Sequence, residues 1–178
     1  MPSSQSLSET ERRVVALWAA ECAERVLHLF EVEAPDDDRP RDAIARTRAF
    51  SAGDLDAAGE IRRRFVAGRA AHAVSSPGAV AAARAAAQAA GVAHMGAHAL
   101  GAAAYAAKAM SHAAPTDPRS VDDEIDWQLG AMTADVHRAL AALPPLGQDT
   151  AGPLGPGLLT RGILGSTIRR LQSSLAVA

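Results

Sequence analysis

Aromatic side chains are scarce in this 178-residue chain: two Trp, one Tyr and three Phe, 3% of the sequence. With β-branched residues also few, an all-β fold is excluded, because pleated sheet faces are filled by those two classes. Cysteine occurs once, at Cys22, which excludes a disulfide framework and any multi-cysteine metal cluster. Positive charge is not in excess. Eighteen Lys and Arg against 20 Asp and Glu leave a formal net charge of -2, so a generic nucleic-acid binder, with its basic face for phosphates, is excluded. No GxGxxG, P-loop, GxSxG, EF-hand or zinc-finger pattern occurs, which counts against nucleotide-dependent and hydrolytic chemistry. The first residues show no basic stretch followed by an apolar run, so no secretory signal is read and a cytoplasmic location is expected. Ala79 to Ala113 is long and apolar, but Arg84, Gln88, His94, His98, Lys108 and His112 interrupt it and its apolar residues are mostly alanine, so no membrane role is expected.

What the chain does have is alanine, about a quarter of all residues and well above ordinary usage. With leucine it carries the apolar mass, and both are strong helix formers. The expected fold is all-α: a compact, alanine-rich bundle of about six helices plus a C-terminal amphipathic segment. Residues 1–7 are expected to be disordered, 8–143 to form the helical domain, 144–157 a Pro/Gly linker, and 158–178 the amphipathic segment. Ser8 with Glu11 is a capping box that starts a helix over Glu9–Glu31, with Val14, Trp18, Cys22 and Val26 on one stripe. Further helices are expected over Arg39–Phe50, from an Asp54 cap to Val74, over Ala79–Ala90, over Val92–Ala113 and over Ser120–Leu143. The last segment, with Leu159, Ile163, Ile168, Leu171 and Leu175, either packs back on the bundle or joins a second copy as a homodimer.

The most informative stretch is GVAHMGAHALGAAAYAAKA. Its helical reading puts His94 and His98 at i and i+4 on one face, between Gly91, Gly96 and Gly101. Small residues there make the helix wall thin, which either lets a neighbour approach closely or leaves room for a ligand. The two imidazoles read as core histidines, as donors and acid/base groups of a small-molecule site, or as a metal pair. The metal reading lacks the glutamate of HExxH and would have to import a third ligand, such as His72, so no metal and no cofactor is assigned. A second cluster is Asp36-Asp37-Asp38-Arg39-Pro40-Arg41. It reads as a solvated, helix-capping loop, or as a turn that aims Asp37 or Asp38 at an imidazole and Arg39 at an anionic group. Trp18 and Cys22 sit one turn apart and read first as core. Glu24, His72 and Tyr105 are secondary polar candidates.

Four segments together carry a family resemblance: LWAAECAERVLHLFE (17–31), DDRPRDAI (37–44), AAHAV (70–74) and AHMGAHALGAAAYAAKA (93–109). In order, over about residues 10–143, they resemble a bacterial family of immunity proteins. The resemblance implies an all-helical domain and marks Trp18, Cys22, Glu24, Asp37, Asp38, Arg39, Arg41, His72, His94 and His98.

Two functions follow. The first is a small-molecule-binding protein acting as a cofactor-free acid/base enzyme of cyclase, isomerase or lyase type. His94, His98 and Asp38 would be catalytic, and Trp18, Cys22, Glu24, Asp37, Arg39, His72 and Tyr105 would line the substrate site. The alternative is an immunity-type protein that binds and neutralises a partner toxin. With several of its six aromatics expected in the core, few anchors are expected at the surface, which favours the first.

Overall fold

The computed structural model describes residues 3–176, and the described residues form helices and turns without a strand. The order is α1 (Glu9–Glu31), α2 (Arg39–Ala52), α3 (Ala57–Arg63), α4 (Val66–Ala70), α5 (Pro77–Gly91), α6 (His98–Ala113), α7 (Ser120–Gly130), α8 (Ala134–Ala141), a 3-10 turn (Leu158–Thr160) and α9 (Gly162–Leu175). The all-α expectation holds. The count of about six becomes larger because two expected helices are each broken once.

The capping box starts α1 as the sequence says: the Ser8 hydroxyl accepts from Glu11 N, and the Glu11 carboxylate accepts from Ser8 N. The helix then buries Val15, Trp18, Ala19, Cys22, Val26 and Phe30 along one side. The helix expected over 54–74 is two short ones. Its cap is Asp56, whose carboxylate accepts from Gly59 N, rather than Asp54, and the chain turns at Arg64–Phe65. The helix expected over 120–143 ends its first half at Gly130, a residue that destabilises a helix interior, and Thr133 caps its second half.

α6 is the centre. It packs against α1, α5, α7 and α9, and ten of its 16 residues are buried. Its tightest neighbour is α5. The facing alanines, among them Ala82, Ala85, Ala86 and Ala89 on α5 and Ala99, Ala102, Ala103 and Ala106 on α6, are all buried, so the thin walls are used for close helix approach. Of the two readings of the thin walls, close approach of a neighbouring helix is the one seen: buried alanines of α5 and α6 line the seam.

α6 also starts six residues later than expected, at His98 instead of Val92. Its entry is tied to the chain start. Gly96 N donates to Ser6 O at 2.9 Å and Ala97 N to Gln5 O at 3.0 Å, in place of a side-chain cap. Leu7 takes a left-handed φ of 60° to make this crossing, with its side chain against Gly96, where a Cβ would not fit. Of residues 1–7, expected to be disordered, 1 and 2 lie outside the described residues, and within 3–7 Gln5, Ser6 and Leu7 have firm partners. Gln5 is fully buried, accepts from Leu154 N at 2.8 Å and donates to Ala151 O. α9 lies on α6 and buries Leu164, Ile168, Leu171 and Leu175. Gln172 joins it to the Pro/Gly-rich stretch by accepting from Leu146 N and donating to Pro144 O. No helix among the described residues is long and apolar enough to cross a membrane.

Candidate functional site

His94 and His98 are neighbours, but not as expected. His94 sits in the turn before α6 and His98 is its first residue, so they do not share a helical face. Their ring centroids are 6.5 Å apart with a 40° tilt. His98 Nδ1 lies 2.8 Å from Gln88 Oε1, so the ring nitrogen donates and Nε2 is left as the acceptor. Gly91 and Gly101 make this pair fit: a Cβ on Gly91 would come 2.8 Å from the His98 ring, and one on Gly101 would collide with the Gln88 amide. Burial holds the His98 pKa down to about 4, with the positive tendency of His94 and Arg64 adding to it. His98 is thus a neutral, interior histidine at physiological pH. His94 is exposed, and its pKa is lowered by partial desolvation and by Arg64 and Arg12.

The orienting carboxylate expected for these imidazoles is elsewhere. Among the described residues no hydrogen bond joins either histidine to Asp37 or Asp38. Asp38 is exposed at the N-cap of α2 and makes no side-chain cap bond. Asp37 is held by Arg39, through Nε at 2.8 Å and NH2 at 2.5 Å, and its carboxyl lies below the usual range for that reason. Arg39 is satisfied within its own loop, and Arg41 pairs with Glu31. The expected contact between Asp38 and a histidine is corrected: an amide, Gln88, occupies the place.

Trp18 and Cys22 belong to a buried polar cluster between α1, α6 and α7. Trp18 Nε1 donates to Gln128 O at 2.9 Å. Gln128 Nε2 donates both to Ala103 O and to Glu124 Oε1, each at 3.0 Å. Glu124 is 1% exposed, and its other oxygen accepts from Arg25 Nε at 2.8 Å. The Arg25 guanidinium also lies 4.0 Å from the centre of the Trp127 ring. Gln128 Oε1 has no partner. Cys22 is fully buried, and burial together with Glu124 pushes its thiol pKa well above its usual value, which disfavours the reactive thiolate. Neither Glu124 nor Gln128 stood out in the sequence. The available signal was their spacing with Ser120 and Ile125, which puts two polar side chains on the buried face of α7.

The remaining candidates are dispersed. Glu24 is exposed and paired with Arg48 through two hydrogen bonds at 2.7 and 2.6 Å. His72 is exposed in the turn after α4. Tyr105 lines a groove of about 330 Å³ between α5 and α6 with Arg84, Lys108 and His112. A larger cleft, about 380 Å³, runs between α1 and α8 beside Leu17, Trp18 and Asp135. The site residues read from the sequence do not converge on one cavity.

A comparison with protein families gives a match over residues 5–135, to a family described as Imm-5 like putative immunity protein. The chain belongs to this family. No curated protein and no solved structure matched. The family match spans α1 to α7 and the first residues of α8, and so contains the histidine pair, the Asp37–Arg39 loop and the Glu124 cluster.

Proposed function

We propose that the chain is an immunity-type protein that binds a partner toxin and neutralises it. The observation that carries this reading is the family match over residues 5–135. The surface adds support. Phe65 is 60% exposed at the turn between α3 and α4, with the Arg64 guanidinium 4.1 Å over its ring. An exposed aromatic with a stacked arginine is the kind of anchor that dominates protein interfaces, and the scarcity of aromatics had argued against finding one. The acid/base reading draws no comparable support: His98 is engaged by Gln88, Asp38 stands apart, and the alanine seam is closed.

Neutralisation is the test. The polypeptides encoded beside the gene are expressed one at a time in a bacterial host, with and without this chain. The expected result is one polypeptide that arrests growth alone, is silenced by the chain and co-purifies with it as a stoichiometric complex. Growth arrest unaffected by the chain, with no complex formed, overturns the reading.

A further inference from the structure

The groove between α5 and α6 is built for negative charge. Tyr105, Lys108 and His112 follow one another along α6 at spacings of three and four, and so lie on one face. Arg84 reaches in from α5. No carboxylate is among the residues that line it. Ten of the seventeen arginines of this slightly acidic chain are in ion pairs, among them Arg48 with Glu24, Arg46 with Glu60, and Arg170 with Asp122 and Asp126, whereas this groove brings two cations together without one. Among the described residues, Arg84 and Lys108 are in no ion pair, and the side chains of Arg84, Tyr105, Lys108 and His112 have no hydrogen-bonded partner.

We infer that this groove docks an acidic, apolar-flanked segment of the partner toxin. The inference rests on the toxin-binding reading and names the chemistry of one contact. Charge complementarity gives the sign: two cations with no counter-charge, and a tyrosine hydroxyl beside them, match one or two carboxylates. The walls give the flanks. Val80 lines one side, and Leu158, 66% exposed at the rim, offers an apolar surface with nothing against it. The shape suits the occupant. A small-molecule site encloses most of its ligand, whereas this groove is only partly enclosed, as suits side chains presented by another protein's surface.

The test uses the full chain and a defined probe. An end-blocked octapeptide with two glutamates between leucines is titrated into the isotope-labelled protein, alongside its glutamine counterpart and inorganic phosphate. Backbone and side-chain resonances should move at Arg84, Tyr105 and Lys108 with the glutamate peptide and not with the glutamine one. The variant R84E/K108E, checked for unchanged helicity and melting temperature, should weaken peptide binding by about tenfold or more. Equal shifts with phosphate, with no gain from the leucines, would overturn the assignment to a protein segment. Shifts spread away from the groove, or a variant that binds the peptide as the parent does, would overturn the groove itself. Failure of the functional reading looks different: the parent then binds the peptide in the groove yet silences no toxin.

Discussion

Glu124 is a carboxylate with no exposed side-chain surface, and its charge is tolerable only because Arg25 and the Gln128 amide both reach it. Removing the cation should leave an uncompensated buried charge. Arg25→Ala is therefore expected to destabilise the protein by about 2–3 kcal/mol, read from urea unfolding. Glu124→Gln in the same chain should return at least half of that loss, since the amide no longer needs a counter-charge. Additive losses in the double variant would show that Arg25 acts through its packing on Trp127 instead. His98 gives a pH dependence of definite sign. Its pKa of about 4 in the folded chain lies below the unfolded value, so the unfolded chain takes up the proton first as pH falls. Stability contributed by neutral His98 is complete above the unfolded pKa and is lost as pH falls toward 4. Between about pH 7.5 and about pH 5 the loss should reach about 2 kcal/mol, a window in which most carboxylates do not titrate. His98→Gln should flatten the dependence. A parent whose unfolding free energy is level across that window would contradict the assignment of His98 as neutral and interior. At this scale the sequence marked His94, His98, Trp18 and Cys22 as special, but not what they touch. Gln88 comes from the preceding helix, ten residues before His98, but Glu124 and Gln128 come from an element far along the chain, and no local pattern carries a contact between α1 and α7.

At the scale of elements, legibility followed the strength of the local signal. α1 was readable to its ends because Ser8 and Glu11 form a reciprocal cap and the apolar stripe runs unbroken behind it. The break at Arg64–Phe65 was not readable, since helix formers flank it and tertiary packing decides there; at 131–133 the local signal, Gly130 followed by Thr133 as a cap, was outweighed by the apolar stripe running through it. The turn over 92–97 is the instructive case. Its alanines favour helix, yet the chain leaves helix there because Gln5 and Ser6 carbonyls accept the Gly96 and Ala97 amides. Alanine's role in α5 and α6 also needed the structure: a small side chain is equally suited to a cavity wall and to a tight seam, and the seam is what forms. A seam of this kind has no room for volume. Ala85→Leu, at a fully buried position of α5, should cost about 1–3 kcal/mol by overpacking. The same change at exposed Ala45 of α2 should cost close to nothing. Melting temperatures of the two variants decide the matter, and equal, small shifts would mean that α5 and α6 are not closely apposed.

For the molecule as a whole, the last quarter of the chain lies beyond the family match, which ends at residue 135. We propose that the segment after residue 143 is part of the core and not an appended module. Three ties support this. Leu154, Leu164, Ile168, Leu171 and Leu175 are buried, most of them on α9 where it covers α6. Gln172 holds the Pro/Gly-rich stretch from both sides, through Leu146 N and Pro144 O. Gln5, near the start of the chain, bonds to Ala151 and Leu154, and its neighbouring carbonyls cap the entry to α6. Each buried leucine or isoleucine contributes about 1.5–3 kcal/mol, and a domain's whole stability is about 5–15 kcal/mol. Losing five at once, about 7.5–15 kcal/mol, is comparable to the whole margin. A chain ending at Leu143 should therefore lose cooperative thermal unfolding and expose α6 to hydrophobic dyes, while a milder variant, Gln5→Ala in the full chain, should lower stability by about 1–3 kcal/mol by leaving the Leu154 amide and the Ala151 carbonyl without their partner. If the shortened chain instead melts cooperatively near the parent temperature, the helices up to α8 stand alone, and the tail is free for another task such as pairing two copies of the protein.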